Sequence, residues 1–325
     1  MTNHAHDRAG LDLTLEALSE HAPEEVRRAH AALGVCLGGV QTSRWPEVAW
    51  AFSALTGDGF PVEISFSSLS ATAVRYATEI AGPEEPESQR IRRAFQTYKQ
   101  LTGRKAPDEI ENAVAQMQCK GRLGYGAWFG ATHGAKADRY KIYAEIPCID
   151  GLKGIVPNSL AEGALLSYCR PRPVMFGFQP ESGVRELYFA AQPLAEADLG
   201  RLLWGCGLGH CYRETLELIL EASGRPSLPP AITGFSIAWR TDHDVCAVSF
   251  YAPARVLFGS DYNIRRTLLT LARNRNWDFT MYERATEVIR NRENPLPHHG
   301  IIAWLASPDA PVELRIGLRP PEHPD

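Results

Sequence analysis

The feature that most constrains the fold is a repeated order of two helical segments followed by two short β-rich segments. Each pair of β-rich segments surrounds a polar or glycine-containing turn, as in a β-hairpin. Together with the strand at Phe60 and the run before it, there are about five such units, spaced about 50–70 residues apart. The later strand pairs are 125–130 with 139–146, 174–178 with 184–190, 235–240 with 246–251, and 300–306 with 312–318. This period predicts an internal repeat of ααββ units.

Consecutive hairpins form an antiparallel sheet, and the intervening helices must cover one of its faces. About ten strands would most simply close into a barrel, because closure removes the unpaired edges. A barrel wider than about eight strands leaves a central chamber. We therefore expect an α+β fold in a single domain over residues 1–325: a closed antiparallel ten-stranded barrel with a solvent-filled or ligand-filled lumen and an outer ring of helices. An open antiparallel sheet with one helical layer is the alternative.

The outer layer is predicted from the helical spacing of apolar residues. The predicted helices are 11–35 with a break at Pro23, 84–118 with a break at 103–107, 157–170, 195–222, 255–274 and 279–292, and residues 45–55 form a short helix or strand.

The composition is that of an ordinary globular protein, with 44% hydrophobic and 22% charged residues and a net charge of -4. This balance does not indicate nucleic-acid binding. No apolar run reaches the roughly 18 residues of a membrane span. The polar N-terminal sequence has no apolar signal core, so we expect a cytosolic protein.

The seven cysteines are scattered and odd in number, which favours reduced thiols over a disulfide framework. Cys206, His210 and Cys211 lie close together, as zinc ligands can. Because no second ligand pair follows nearby in the sequence, a buried helix face is the stronger interpretation.

Residues 55–83 contain the most distinctive candidate site. A tight turn at 56–59 precedes a strand from Phe60 to Phe66 in which polar and apolar residues alternate. Glu63 lies mid-strand on the polar side, beside Ser65. A carboxylate is disfavoured in a strand, so Glu63 must face water or line a polar cavity.

The strand at 139–146 separates its side chains by parity in the same way. The alternate set Tyr140, Ile142 and Ala144 is largely apolar and is expected to face the covering helices. The other set then points into the lumen: Arg139, Lys141, Tyr143 and Glu145. An edge strand with solvated charges is the alternative.

These two segments resemble the aromatic prenyltransferases of the dimethylallyl-tryptophan synthase type, which have the ABBA fold or PT barrel. The first segment matches the family's strand motif at Gly59, Pro61, Glu63, Ser65, Val74, Arg75, Tyr76 and Glu79. Lys141 and Tyr143 match a second motif, Lys-x-Tyr, in the right order. The resemblance covers the chain in architecture, while the residue motifs are concentrated in 55–83 and 139–145. In length the chain is closer to bacterial or cyclic-peptide members.

The resemblance implies a transferase that moves a dimethylallyl or longer prenyl group from its diphosphate to an electron-rich arene. The implied acceptor is an indole, tryptophan or a tryptophan-containing peptide, in secondary metabolism such as alkaloid biosynthesis. Glu63 would accept a hydrogen bond from the arene and, with Lys141, is the expected catalytic pair. The implied diphosphate ligands are Arg75, Arg139, Lys141 and Arg185. The implied shields of the carbocation are Tyr143, Phe189 and Tyr251.

The later strands match the family less fully. Arg185, Leu187 and Phe189 stand where the family has Arg-x-Lys-x-Tyr, so one cation is missing. The other candidates, which match in part or whose facing is open, are Ser249, Tyr251, Trp304 and Arg315.

No Asp-rich segment demands a metal, so no cofactor is obligatory, although Mg²⁺ can accompany the diphosphate. The expected partners are dimethylallyl diphosphate and an aromatic acceptor, with no nucleic acid and no membrane.

Other functions stay open at this point. A barrel that binds or transports an apolar ligand would share the fold and the aromatic lining. A catalytically degenerate prenyltransferase-like barrel would share the motifs, with Leu187 and Ser249 marking lost groups. A hydrolase could use the residues 298–300 or 242–244, but no nucleophile elbow or metal motif accompanies them, and histidines in surface turns are the simpler explanation.

Overall fold

A computed structural model describes residues 4–147, 156–157, 171–240, 244–289 and 297–321. Within these ranges ten antiparallel strands form a closed barrel, which confirms the predicted fold and excludes the open sheet. The strands are β1 Val62–Ser67, β2 Ser70–Thr78, β3 Ala127–His133, β4 Asp138–Glu145, β5 Arg172–Phe178, β6 Arg185–Ala190, β7 Gly234–Trp239, β8 Val245–Pro253, β9 His299–Ser307 and β10 Ala310–Leu318.

Each strand pairs with its neighbours in sequence, and β1 pairs with β10 to close the barrel. At the closing pair Ile64 lies opposite Leu318, and Phe66 lies opposite Ile316. The turn before β1 strengthens this closure, because the Asp58 carboxylate lies 2.7 Å from the Arg319 guanidinium just beyond β10. The first and last strands are therefore held together by backbone pairing and by an ion pair.

Helices surround the barrel in the order that the sequence predicts. They are α1 His4–Ser19, α2 Pro23–Cys36, α3 Gly38–Gln41, α4 Pro46–Ala49, α5 Glu87–Thr102, α6 Asp108–Gln118, α7 Glu196–Gly205, α8 Tyr212–Ser223, α9 Ala254–Phe258, α10 Asp261–Arg275 and α11 Thr280–Ala285, with a short 3₁₀ helix at Gly209–Cys211. Of the predicted helix 157–170, residues 158–170 lie outside the described residues, as do 290–292.

The hydrophobic core is a shell between the barrel and the helices. On β1, Val62, Ile64 and Phe66 are buried in this shell, while Glu63 and Ser65 point the other way, into the lumen. The polar faces of the strands therefore meet inside the barrel, where the candidate residues lie.

The first hairpin differs from its prediction. The partner of β1 is β2, which follows it, and not the run before Phe60. The segment 45–55 contributes the short α4 and no strand. The Gly59 backbone has a φ of 88°, a conformation that favours glycine, and turns the chain into β1.

The cluster at 206–211 is confirmed as a buried helix face. Cys206 and Cys211 are packed in the apolar core, and His210 is exposed. The cysteines Cys36, Cys119, Cys206, Cys211 and Cys246 are free thiols. Among the helices of the described residues, none combines the length and apolarity of a membrane span.

Candidate active site

The lumen holds a cavity of about 170 Å³ with a polar wall. The charged and phenolic side chains that line it from lumen-facing positions are Arg75, Arg139, Lys141, Tyr143, Glu186, Tyr188, Tyr251 and Arg315, while Tyr76 and Tyr140 also border it from the outer core. Five of these eight were predicted from sequence, namely Arg75, Arg139, Lys141, Tyr143 and Tyr251. The strands bring them together because each stands at a lumen-facing position of β2, β4 or β8. Arg139 is the exposed one, near the β3–β4 turn.

Lys141 lies at the centre of this wall. Its ammonium forms an ion pair with Glu186 on β6 and donates a hydrogen bond to the Tyr188 hydroxyl over 2.8 Å. Burial opposes the charge on Lys141, but the Glu186 carboxylate outweighs it, and the pKa of Lys141 is raised. Burial likewise opposes the charge on Glu186, yet Lys141 and the Ser236 hydroxyl hold its pKa below the ordinary value. Both groups are therefore ionised at neutral pH.

Three tyrosines from separate hairpins form a row beside Lys141. The Lys141 nitrogen lies 5.2 Å from the ring centroids of both Tyr143 and Tyr188. The Tyr188 centroid lies 6.0 Å from that of Tyr143 and 6.0 Å from that of Tyr251. Burial raises the pKa of Tyr188 and of Tyr251, so both stay neutral phenols. Such a row offers π faces to a cation in the lumen.

A second ionic cluster joins β2 to β10. The Glu313 carboxylate lies 3.0 Å from the Arg75 guanidinium. Its two oxygens also accept hydrogen bonds from Arg315, over 2.8 and 2.7 Å. Ser67 donates a further hydrogen bond to it. Although burial favours the neutral acid, these partners lower the pKa of Glu313 to about 2. Burial and the neighbouring Arg315 lower the pKa of Arg75, while Glu313 works in the opposite direction.

Glu63 lies on the lumen face and takes part in neither cluster. It stands opposite Ala77 on β2, and this row continues through Gly130 to Lys141. Glu63 and Lys141 are therefore three strand spacings apart, which is about 14 Å across the sheet. Glu63 does not line the cavity, and among the described residues its carboxylate has no hydrogen-bond or ion-pair partner. Burial alone raises its pKa to about 7.

A buried hydrogen-bond network lies where β2 ends and β3 begins. The Glu79 carboxylate accepts hydrogen bonds from Ser53 over 2.6 Å and from the Trp128 indole over 2.9 Å, and it pairs with Arg90 of α5 over 3.1 Å. The Trp128 ring stacks on Tyr125 with centroids 3.8 Å apart. Glu79 therefore ties α5 to the barrel.

The placement predicted on β6 is wrong. Leu187 and Phe189 lie in the outer core, where Phe189 stacks on Phe235 with ring centroids 4.8 Å apart. Arg185 shares their parity and stands opposite the buried Trp239. Neither Arg185 nor Phe189 lines the cavity, which corrects their predicted places at the diphosphate and at the carbocation. The lumen-facing residues of β6 are Glu186 and Tyr188.

The alternation of polar and apolar residues along β6 indicates the correct lumen-facing residues. Polar Glu186 and Tyr188 alternate with apolar Leu187 and Phe189, the pattern that correctly placed the residues of β4. The family's Arg-x-Lys-x-Tyr pattern, aligned on Arg185, shifts this strand by one residue. Since the period of a strand is two, that shift exchanges its faces.

The last hairpin settles the two residues whose facing was open. Arg315 points into the lumen and lines the cavity. Trp304 is fully buried in the outer core, opposite Leu314 and Phe250. Sequence reasoning missed Glu313, although Glu313 and Arg315 alternate with Val312, Leu314 and Ile316 in the way that predicts an inward polar face.

The residues considered for a hydrolase do not form a site in the lumen. His298 and His299 are buried and not in a surface turn, which corrects that expectation. His299 is bonded to Asp261 over 2.7 Å and to the Tyr282 hydroxyl over 2.8 Å, outside the barrel. Asp242 and His243 lie outside the described residues. Across the described ranges, no group of three or more His, Cys, Asp or Glu side chains is placed to hold a metal ion.

Comparison with known proteins supports the fold and not a sequence relationship. No protein-family model matches the chain. No curated protein matches it in sequence.

Solved structures match over nearly the whole chain. The 5-dimethylallyltryptophan synthase of Streptomyces coelicolor matches with a TM-score of 0.74 at 14% identity, over 96% of each chain. The 6-dimethylallyltryptophan synthase of Micromonospora olivasterospora, solved in complex with DMASPP and Trp, matches with a TM-score of 0.73 at 17% identity, over 97% of this chain and 98% of that one. AnaPT of Neosartorya fischeri matches with a TM-score of 0.69 at 12% identity, over 96% and 93%. The chain therefore has the barrel fold of these dimethylallyltryptophan synthases, as its sequence motifs predict.

Proposed function

We propose that the protein is an aromatic prenyltransferase that moves a dimethylallyl or longer prenyl group from its diphosphate to an electron-rich arene. One observation carries this proposal: Lys141 and two arginines stand beside a row of three tyrosines inside a closed barrel, with Glu63 on the same inner face. The acceptor class is an indole, tryptophan or a tryptophan-containing peptide, in keeping with the dimethylallyltryptophan synthases among the structurally similar proteins.

The donor half of the reaction needs fixed positive charge. When the carbon–oxygen bond of the allylic diphosphate breaks, the diphosphate leaves with the electron pair. Preorganised cations stabilise that developing charge, and Arg75, Lys141 and Arg315 surround the cavity for this role, with Arg139 at its rim. Mg²⁺ can accompany the diphosphate, while no protein-bound cofactor is part of the proposal.

The allyl cation needs a dry, electron-rich surrounding until the arene attacks. The faces of Tyr143, Tyr188 and Tyr251 supply cation–π stabilisation, about 0.5–2 kcal/mol for each ring. The reaction also needs water kept from the cation, since water would capture it, and the barrel wall shields the cation from the sides.

The acceptor half depends on Glu63. Its carboxylate has no partner among the described residues and can accept a hydrogen bond from an arene N–H or O–H. As the ring attacks the allyl carbon, positive charge spreads to that heteroatom, and the hydrogen bond strengthens. Loss of the proton at the attacked carbon then restores the aromatic ring.

A barrel that binds an organic ligand without prenyl transfer is the second candidate. It is favoured by the two carboxylates, Glu186 and Glu313, that already pair with the cations of the cavity. In an enzyme these cations must exchange carboxylate for diphosphate when the donor binds.

A mass assay separates the two candidates. The protein is incubated with dimethylallyl or geranyl diphosphate and a panel of tryptophan, tyrosine, indoles and tryptophan-containing cyclic peptides. We expect a product heavier by one prenyl unit, which the Lys141→Ala variant should not form. Binding of diphosphate without any alkylated arene in the panel would instead support the non-catalytic barrel. The cytosolic location and the single domain stay predictions of the sequence.

A further inference from the structure

Two glycines of the last hairpin lie directly against the carboxylate of Glu63. A Cβ atom at Gly317 of β10 would lie 2.5 and 2.6 Å from the two oxygens of Glu63. A Cβ atom at Gly300 of β9 would collide with Oε2 of the same carboxylate. The side chain of Glu63 therefore occupies space that exists only because both positions lack a side chain.

The backbone at these positions is locally irregular. Ile316 pairs with Ile302 and Leu318 pairs with His299, so residues 300 and 301 of β9 together oppose the single Gly317. Such a β-bulge inserts one residue, bends the strand and re-aims its side chains. The irregularity lies beside the one lumen carboxylate of the described residues that has no partner.

The backbone conformation does not itself require glycine here. The glycines with positive φ in the described residues are others, such as Gly59 and Gly103. Alanine can adopt the conformation of residues 300 and 317. The three atoms nearest to its methyl group at Gly317 would all belong to the Glu63 carboxyl group, which is the end of a flexible side chain. The requirement for glycine is therefore a requirement of Glu63.

We infer that Gly300 and Gly317 are positioning residues that form a cradle for the Glu63 carboxylate and hold it against the barrel wall. In the proposed reaction, a carboxylate held in this position accepts the hydrogen bond of the acceptor without taking the place of its ring. A methyl group at either glycine pushes the carboxylate into the lumen, where it would occupy part of the acceptor's space. This inference rests on the proposed function for its effect on turnover, but the position of Glu63 can be measured without turnover.

The kinetic test uses Gly317→Ala, with Gly34→Ala as the matched control. Gly34 lies in α2 with no atom within 4 Å of an added Cβ, so its substitution changes the same group without a contact. We expect Gly317→Ala to lower kcat with the arene at least tenfold, while the KM for the prenyl diphosphate changes less than twofold. Gly34→Ala should keep both parameters.

Rescue by a shorter acid makes the test specific. Glu63→Asp withdraws the carboxylate by one methylene group and thereby vacates the space that the new methyl group takes. The double variant Glu63→Asp with Gly317→Ala should therefore turn over faster than Gly317→Ala alone. If the fold-losses in kcat of the two single variants simply multiply in the double variant, the inferred contact between residue 317 and Glu63 is wrong.

A second measurement does not depend on prenyl transfer. The pKa of Glu63 is followed by carbon-13 NMR of its labelled carboxyl group in the wild type, Gly317→Ala and Gly300→Ala. Displacement toward the polar lumen should lower this pKa from about 7 by at least one unit in both variants, with thermal stability retained. An unchanged pKa in both folded variants, or failure of both to fold, would overturn the inference. An inactive wild type with the expected pKa changes would refute the proposed function and leave the cradle supported.

Discussion

For Glu63, the proposed function and the stability of the fold favour opposite protonation states. Its carboxylate is surrounded by glycine backbone and has no cation or hydrogen-bond donor among the described residues, so burial favours the protonated acid. The proposed acceptor hydrogen bond needs the ionised form. The site thus keeps an acid that destabilises the folded state in the protonation state that is needed for the reaction.

The substitution Glu63→Gln tests this conflict. The folded pKa of about 7 is above the ordinary 4.5, so the stabilising contribution of the protonated acid is complete below pH 4.5 and is lost as the pH rises to about 7. Relative to wild type, the glutamine variant should therefore gain on the order of 3 kcal/mol of unfolding free energy between pH 4 and pH 8. Urea unfolding at the two pH values measures this difference.

The same variant should lose activity. Turnover should fall by about 10²-fold or more, because an amide cannot take up charge as a carboxylate does. In the wild type, kcat should rise with pH through about 7 as Glu63 ionises. A glutamine variant with wild-type turnover would show that Glu63 does not take part in acceptor activation.

Glu186 supplies a second test at this scale. Its charge faces the place where the proposed diphosphate binds, and Lys141 already neutralises it. Glu186→Gln keeps the shape and removes one negative charge, so inorganic diphosphate and the prenyl diphosphate should bind about tenfold more tightly, about 1.4 kcal/mol. Ser236→Ala is the control, because it removes a hydrogen bond to Glu186 and keeps the charge. Titration calorimetry measures both, and weaker binding by Glu186→Gln would mean that Glu186 orients Lys141 instead.

At the scale of the element, adjacent residues of β6 lie in different environments, one in the lumen and the next in the outer core. Tyr188 lies in the lumen beside Lys141, and Phe189 lies in the outer core against Phe235. Tyr188→Leu should lower turnover at least tenfold by removing a π face from the row of tyrosines. Phe189→Leu should leave turnover within twofold and lower the unfolding free energy by about 1–3 kcal/mol through lost packing. The reverse pattern in kinetics and urea unfolding would contradict the assigned faces.

The individual strands also show which side-chain positions can be predicted from the sequence. Alternation within one strand placed Glu63 and Lys141 on a polar face and the apolar residues of β1 and β4 on the opposite one, and closure of the barrel makes the polar face the lumen. It could not place Trp304, because Ile301, Ala303 and Leu305 are as apolar as their neighbours Ile302 and Trp304. It also could not predict that Glu186 and Glu313 pair with the cations, since ion pairs between hairpins depend on the register around the closed barrel.

At the scale of the whole molecule, closure makes the first and last strands interdependent. β1 pairs with β10, and the Asp58–Arg319 ion pair reinforces this contact. Unfolding of either half would expose two sheet edges in the other half, so we expect one cooperative transition in urea. Far-UV circular dichroism and tryptophan fluorescence should then give the same midpoint. Two separate midpoints would show that the barrel is not a single folding unit.

Closure also explains why so many charges can be kept in the interior. The cations come from β2, β4 and β10, and the acids that balance them come from β6 and β10. Strands distant in sequence therefore share one lumen, and each buried charge has its partner on another strand or two residues away. Glu63 is the exception among the buried charges of the described lumen residues, which agrees with its proposed role at the acceptor.

The most direct test of the proposed chemistry is a crystal structure with a non-hydrolysable analogue of dimethylallyl diphosphate and tryptophan. We expect diphosphate oxygens about 2.8 Å from the Lys141 ammonium and from the guanidinium of Arg75 or Arg315. The prenyl chain should lie against Tyr143, Tyr188 and Tyr251, and the indole N–H should donate a hydrogen bond to Glu63. A diphosphate bound outside the barrel, or an indole whose N–H points away from Glu63, would contradict the proposed chemistry.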